Sequence, residues 1–147
     1  MVQSCSAADR AQVLDTMIAL TRLSNSLRVI LAGKESMEHC LALRQRGFVR
    51  VSTPATCRLA RGQHAVGLIT GQNSLWDIEA SLDQIARFLA ANAALAVLID
   101  SRESGLGLKV RARLERLGFR IEAGVRCQRG FVLSAYRQGF SQMSNAA

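Results

Sequence analysis

The stretch HAVGLITGQNSLWDIEASLDQIARFLAANAALAVLID, residues 64–100, decides how this chain folds. Its opening HAVGLITG (64–71) is a short apolar run rich in branched side chains that ends on a glycine, the composition of a strand buried on both faces. SLWDIEASLDQIARFLAANA (74–93) follows, with Leu75, Ile78, Leu82, Ile85 and Leu89 near 3.6-residue spacing, and predicts one long helix with an apolar stripe. LAVLID (95–100) is a second apolar strand. Strand, helix and strand in that order call for two parallel strands joined by a right-handed crossover.

The same alternation extends in both directions. Upstream, SAADRAQVLDTMIALTRLSNS (6–26) reads as an amphipathic helix: Ser6 and Asp9 form its cap, Leu14, Met17, Ile18 and Thr21 recur at helical spacing, and Asn25 suits a left-handed stop. LRVILAG (27–33) is a strand ending on Gly33. Ser36 is placed to cap a helix over 37–47, with Met37, Cys40, Leu41 and Arg44 along one side and Gly47 as its stop. FVRVST (48–53) alternates like a strand and is closed by Pro54, while PATCRLARGQ (54–63) reads as a loop or a single helical turn. Downstream, GLGLKVRARLERLG (105–118) is a helix, starting near the small residues 104–107, and FRIEAGV with RGFVLSAYR forms a hairpin turning near Arg126 to Arg129. The expectation is a single α/β domain over 1–147, with an N-terminal helix within 1–26 and a loose tail at 140–147. Its sheet is mostly parallel, of about six strands, with helices on both faces and a C-terminal antiparallel hairpin.

A chain of 147 residues can bury a sizeable core without metals or disulfides. Apolar residues make up 49%, yet the densest run, AALAVLI at 93–99, is far shorter than the roughly 20 residues a membrane span requires. The opening MVQSCSAADR lacks the charged start and apolar core of a secretory signal, so the expected compartment is the cytoplasm. Cys5, Cys40, Cys57 and Cys127 are scattered singly, a pattern that suits small buried hydrophobes better than a zinc site or a disulfide framework. His39 and Cys40 are neighbours on a helix and point about 100° apart, which argues against a shared metal.

The formal charge of +8, from 19 Lys and Arg against 11 Asp and Glu, favours an anionic ligand or nucleic acid as partner. Arg58, Arg61, Lys109, Arg111, Arg113, Arg116, Arg126 and Arg129 supply much of it, with Lys109, Arg113 and Arg116 at a spacing that shares one helix face. Seven aromatics are few for a single-strand stacking platform, and neither a helix-turn-helix nor an RNA-recognition signature is present. Solvated helix faces account for these charges equally well.

From residue 64 onward the order of elements resembles the second half of a class I S-adenosylmethionine-dependent methyltransferase domain, a Rossmann-like fold. Residues 64–100 resemble that family's fourth strand, long helix and fifth strand, with AANA where a proline and two glycines often precede strand five. VRARLERLGFRIEAGVRCQRGFVLSAYR resembles its last helix, the GF turn and the closing strand pair. The likeness covers roughly 110 of the 147 residues and rests on motifs of packing. It implies S-adenosylmethionine as cofactor, in a cleft formed by Gly33, Lys34, Ser52, Thr53, Thr70 and Gly71.

Those positions depart from the family pattern. After strand one the family carries an acidic residue and a GxGxG-like loop, whose glycines let the backbone approach the cofactor's amino acid portion. Here the stretch is VILAGKES, with Gly33 as its single glycine and Lys34 beside the space. The acid that accepts the ribose hydroxyls at the end of strand two is replaced by Ser52 and Thr53, and His64 stands where aspartate often opens strand four. The interval between FVRVST and HAVGLITG is brief for the family's third strand, so FVRVST becomes a sheet edge that a homodimer or PATCRLARGQ must cover.

Of the acids, Asp77, Glu79 and Asp83 read as helix-surface charges, and Asp100, at a strand end, is the best single candidate. His39 and His64 have no nucleophile at a recognisable spacing. Trp76 stands at the mouth of the cleft, where it packs on the sheet edge or stacks on a base. Three functions stay open: a methyltransferase-like domain with a degenerate cofactor site that binds or regulates, using no cofactor; an active S-adenosylmethionine-dependent methyltransferase with an atypical loop; and a basic nucleic-acid adaptor.

Overall fold

The structure, a computed structural model, describes residues 7–72, 74–99, 105–127 and 130–137; Cys5, the Ser6 cap, Asp100, Arg129 and the tail at 140–147 lie outside the described residues. Helix α1 spans Ala7–Thr21, strand β1 Val29–Gly33, helix α2 Ser36–Gln45 and strand β2 Val51–Ser52. They are followed by β3 (His64–Gln72), α3 (Leu75–Ala86), β4 (Leu89–Ile99), α4 (Leu106–Arg116), β5 (Phe119–Arg126) and β6 (Phe131–Arg137). The six strands make one sheet in the order β2-β1-β3-β4-β6-β5. β2, β1, β3 and β4 run parallel, and β6 is antiparallel to both β4 and β5.

Apolar runs without alternation are explained by a core on each face of the sheet. Ile30, Ala32, Ile69 and Val97 pack with Ile78, Leu82 and Ile85 of α3 and with Val110 and Leu114 of α4. Val29, Leu31, Leu68 and Leu98 pack with Leu14 and Met17 of α1 and with Leu43 of α2. Successive residues of β1 therefore serve opposite layers, as strand geometry requires. Three layers result, with α1 and α2 on one face and α3 and α4 on the other.

Several local expectations give way to this packing. The long helix ends at Ala86, and the FLAANA stretch expected to continue it enters β4. Phe88 and Leu89 are buried in the α3-side core, and the carbonyls of Leu89 and Ala86 accept the Arg137 guanidinium at 3.1 and 3.3 Å. Tertiary contacts thus override the helix propensity of an alanine-rich run. The surplus residues bulge outward, since the pairing steps from His64↔Leu89 to Val66↔Ala94 while Ala91 and Asn92 stay exposed.

FVRVST contracts to a two-residue strand. Val49 is 67% exposed, and the outer edge is partly satisfied from within, because Arg44 Nη2 donates to the Val51 carbonyl at 3.0 Å. PATCRLARGQ opens with a single turn, in which the Thr56 and Cys57 amides donate to the Thr53 carbonyl at 3.0 and 2.8 Å. It then returns to the sheet, with Gly62 N–H on the Arg87 carbonyl at 3.0 Å. Among the described residues no further strand lies beyond β2.

Helix ends follow capping chemistry, at positions that shift by a few residues. The left-handed stop of α1 is Arg22 (φ 54°) and not Asn25, with Leu23 N–H on the Ile18 carbonyl at 3.1 Å and Arg22 N–H on the Ala19 carbonyl at 3.3 Å. Gly47 (φ 96°) ends α2 by the same double closure, onto Arg44 and Leu43. Glu35, left-handed and without a side-chain cap bond, takes the N-cap place expected of Ser36. The short turn it makes sets the helix phase so that His39, Cys40 and Leu43 are buried while Met37 and Leu41 face solvent. Ser74 caps α3, its hydroxyl accepting from Asp77 N–H at 3.2 Å. Ser74→Ala is expected to cost about 1 kcal/mol, read as a drop of about 2–4 °C in Tm. An unchanged Tm would remove this cap from the helix's support.

Candidate functional site

In an open sheet of this kind the ligand crevice lies outside the carboxyl ends of the strands, where the chain order reverses direction. Here that point falls between β1 and β3, because β1 leads out to β2 on one side while β3 and β4 continue on the other. Gly33 is paired with Thr70 at this end. The chain leaves β1 through Gly33 (φ 106°), Lys34 and the left-handed Glu35 and enters α2 at once. Thr70, fully buried, donates its hydroxyl to the Lys34 carbonyl at 2.8 Å. Gly71 (φ 63°) is packed so closely that a Cβ there would stand 3.0 Å from Lys34 Cβ and 3.1 Å from its carbonyl oxygen. Gly33, Lys34, Thr70 and Gly71 therefore meet, and the backbone of Lys34 is clamped across the end of β3.

Ser52 and Thr53 do not join them. Ser52 pairs with Ile30, three residues before Gly33 and hence roughly 10 Å short of the crevice. Ser52 belongs to a different cluster, around His64. His64 is 1% exposed, and its Nδ1 lies 3.2 Å from the Phe88 carbonyl. A carbonyl only accepts, so Nδ1 carries the proton and Nε2 is left as an acceptor. The Ser52 hydroxyl donates to Nε2 at 3.0 Å, and Cys57 Sγ stands 3.9 Å from the same nitrogen. Burial holds the imidazole below its usual pKa; the Phe88 bond pulls it back up, and the Arg28 charge adds to the lowering. Nearby, Thr53 N–H donates to Thr56 Oγ1 at 3.0 Å. This grouping escaped sequence reading because Ser52 and Cys57 stand 12 and 7 residues before His64, and only the return of the 54–63 segment brings them to it.

The remaining candidates are separated. His39 is buried on α2, with Nδ1 on the Glu35 carbonyl at 2.8 Å. Trp76 is 81% exposed, so it does not pack on the sheet edge; position 76 falls on the outward side of α3, whose buried face is Ile78, Ser81, Leu82 and Ile85. Glu79 Oε1 lies 4.0 Å from Arg113 Nε, which ties α3 to α4 and withdraws Arg113 from the exposed face of Lys109 and Arg116. Asp77 sits in the first turn of α3 and Asp83 is exposed. Among the described residues no three His, Cys, Asp or Glu side chains converge as metal ligands, and no helix is long and apolar enough to cross a membrane.

No family model matches the sequence, and no curated protein matches it. Solved structures do match its shape. The [4+2]-cyclase SpnF superposes with a TM-score of 0.63 at 14% identity, over 90% of this chain and 82% of that one. A Burkholderia thailandensis 1,6-didemethyltoxoflavin-N1-methyltransferase with bound S-adenosylhomocysteine gives 0.61 at 13% identity, over 89% and 79%. Magnesium protoporphyrin IX methyltransferase from Synechocystis PCC 6803, with bound S-adenosylmethionine, gives 0.59 at 15% identity, over 89% and 81%. With its six-stranded sheet, its switch point between β1 and β3 and its closing antiparallel hairpin, the chain has the fold of the class I S-adenosylmethionine-dependent methyltransferases.

Proposed function

We propose that this chain is a methyltransferase-like domain with a degenerate cofactor site, and that it acts by binding, in a regulatory capacity, without transferring a methyl group. The observation that carries this reading is the clamp at the switch point: the 2.8 Å bond from Thr70 Oγ1 to the Lys34 carbonyl and the contact of Gly71 with Lys34. The fold implies S-adenosylmethionine, whose charged amino acid portion needs free backbone N–H groups and open space at the loop after β1. Here one glycine is present, the turn is short, and its central residue rests on β3, so the residues do not suit that portion of the cofactor. Ser52 and Thr53 are bonded elsewhere and bring no carboxylate to the crevice. The cyclase among the structural neighbours supports separating this fold from methyl transfer, since a fold does not prescribe its chemistry.

The second reading, an active S-adenosylmethionine-dependent enzyme, draws on the two neighbours that hold S-adenosylhomocysteine or S-adenosylmethionine in this fold. Calorimetric titration separates the two. With S-adenosylmethionine and S-adenosylhomocysteine each at about 1 mM, no saturable heat is expected. Micromolar binding that is lost on Gly33→Leu would favour the enzyme.

A further inference from the structure

The Ser52, Cys57 and His64 cluster opens onto a cavity of about 430 Å³, within the roughly 300–1,000 Å³ usual for small-molecule sites. Arg28 immediately precedes β1 and His64 opens β3, so the cavity lies at the amino ends of these parallel strands. That is the opposite end of β1 from the Gly33 and Thr70 crevice, and the site is independent of whether the crevice admits a cofactor.

Charge defines what it takes. Arg28, Arg50 and Arg58 all line it, and no carboxylate does. Arg28 reaches the Gln63 side-chain oxygen at 3.5 Å and Arg50 the Ser26 carbonyl at 3.4 Å, both neutral acceptors. Among the described residues none of the three arginines is in an ion pair. Three arginines line one cavity, and the planar fork of a guanidinium matches a carboxylate or a phosphate. Burial keeps His64 on the neutral side near pH 7, so it adds an acceptor and no further positive charge. Two apolar side chains also line the cavity and remain open to solvent, Val49 at 67% and Leu59 at 43% exposure.

We propose that this cavity is a binding site for a small organic anion, in which Arg28, Arg50 and Arg58 hold a phosphate or carboxylate head and Val49 and Leu59 cover an apolar body. Cys57, on its wall, serves as a built-in reporter. Alkylation of each cysteine by anionic iodoacetate and by neutral iodoacetamide is followed by mass spectrometry, with glutathione as the free-thiol reference. The iodoacetate to iodoacetamide rate ratio at Cys57 is expected to exceed that of glutathione by about tenfold. The double variant R50A/R58A, which changes two exposed side chains, should lower the ratio towards the glutathione value. Phenyl phosphate and benzoate distinguish the two heads, and each is compared with inorganic phosphate to test the apolar body. At least one of the two organic anions should protect Cys57 and raise Tm more than inorganic phosphate does, and the double variant should abolish both effects. A ratio equal to that of glutathione, or one the double variant leaves intact, overturns the proposal. So does a Tm that neither organic anion moves, whatever the thiol's reactivity. Protection by a single-stranded oligonucleotide stronger than by either small anion would replace it with a nucleic-acid surface.

Discussion

Gly71→Val is expected to destabilise the protein by about 3 kcal/mol, lowering Tm by about 6–12 °C. Two separate costs combine. Gly71 has φ 63°, a conformation that costs an L-residue roughly 1–2 kcal/mol and a β-branched one more. In addition, a Cβ there meets Lys34 Cβ at 3.0 Å and the Lys34 carbonyl oxygen at 3.1 Å, and the carbonyl is backbone held by Thr70. Such overpacking typically adds about 1–3 kcal/mol. Gly118→Val provides the comparison, because Gly118 has φ 94° but a Cβ there meets nothing within 4 Å. Chemical denaturation of both variants isolates the contact, and equal losses would show that the turn at Lys34 is not packed against β3.

His64→Ala is expected to cost about 3 kcal/mol at pH 7, from the cavity left by a buried ring and from the Ser52 hydroxyl left without its acceptor. The ring also stands edge-on to Phe88, centroids 6.1 Å apart. The pH dependence carries a sign that an exposed histidine would lack. Its pKa in the folded protein lies below the ordinary 6.5, chiefly through burial. Below about pH 6.5 the unfolded chain therefore takes up a proton that the folded one resists, and stability falls as pH drops towards the folded pKa. Above about pH 6.5 neither state is protonated and the penalty vanishes. The alanine variant has no such term, so the stability difference between wild type and variant should shrink from pH 7 to pH 5. A difference that stays constant or widens would mean that the imidazole is not held neutral by its surroundings.

The elements readable from residue patterns are those whose specification is local. VILAG and AVLI are apolar without alternation because both faces of the sheet are covered, and Gly47 stops a helix because a left-handed residue closes the last carbonyls. The α3 start at Ser74 and the closing hairpin are equally local, and together with the alternation they were enough to specify the α/β class and the methyltransferase resemblance. Gly33, Lys34, Thr70 and Gly71 were recognisable as neighbours, since the carboxyl ends of adjacent parallel strands must meet at a reversal of chain order. Beyond that, sequence was silent on features set by distant groups. Nothing in FLAANA shows that Arg137 will claim the carbonyls of Ala86 and Leu89 and draw the chain into β4. Nothing in FVRVST shows that pairing with β1 will hold only Val51 and Ser52. The Ser52, Cys57 and His64 grouping depends on pairing across β1 and on the fold-back of residues 54–63. Local conformational preference writes itself into spacing and composition. Strand register and shared burial are long-range terms, and they exist once the chain has closed on itself.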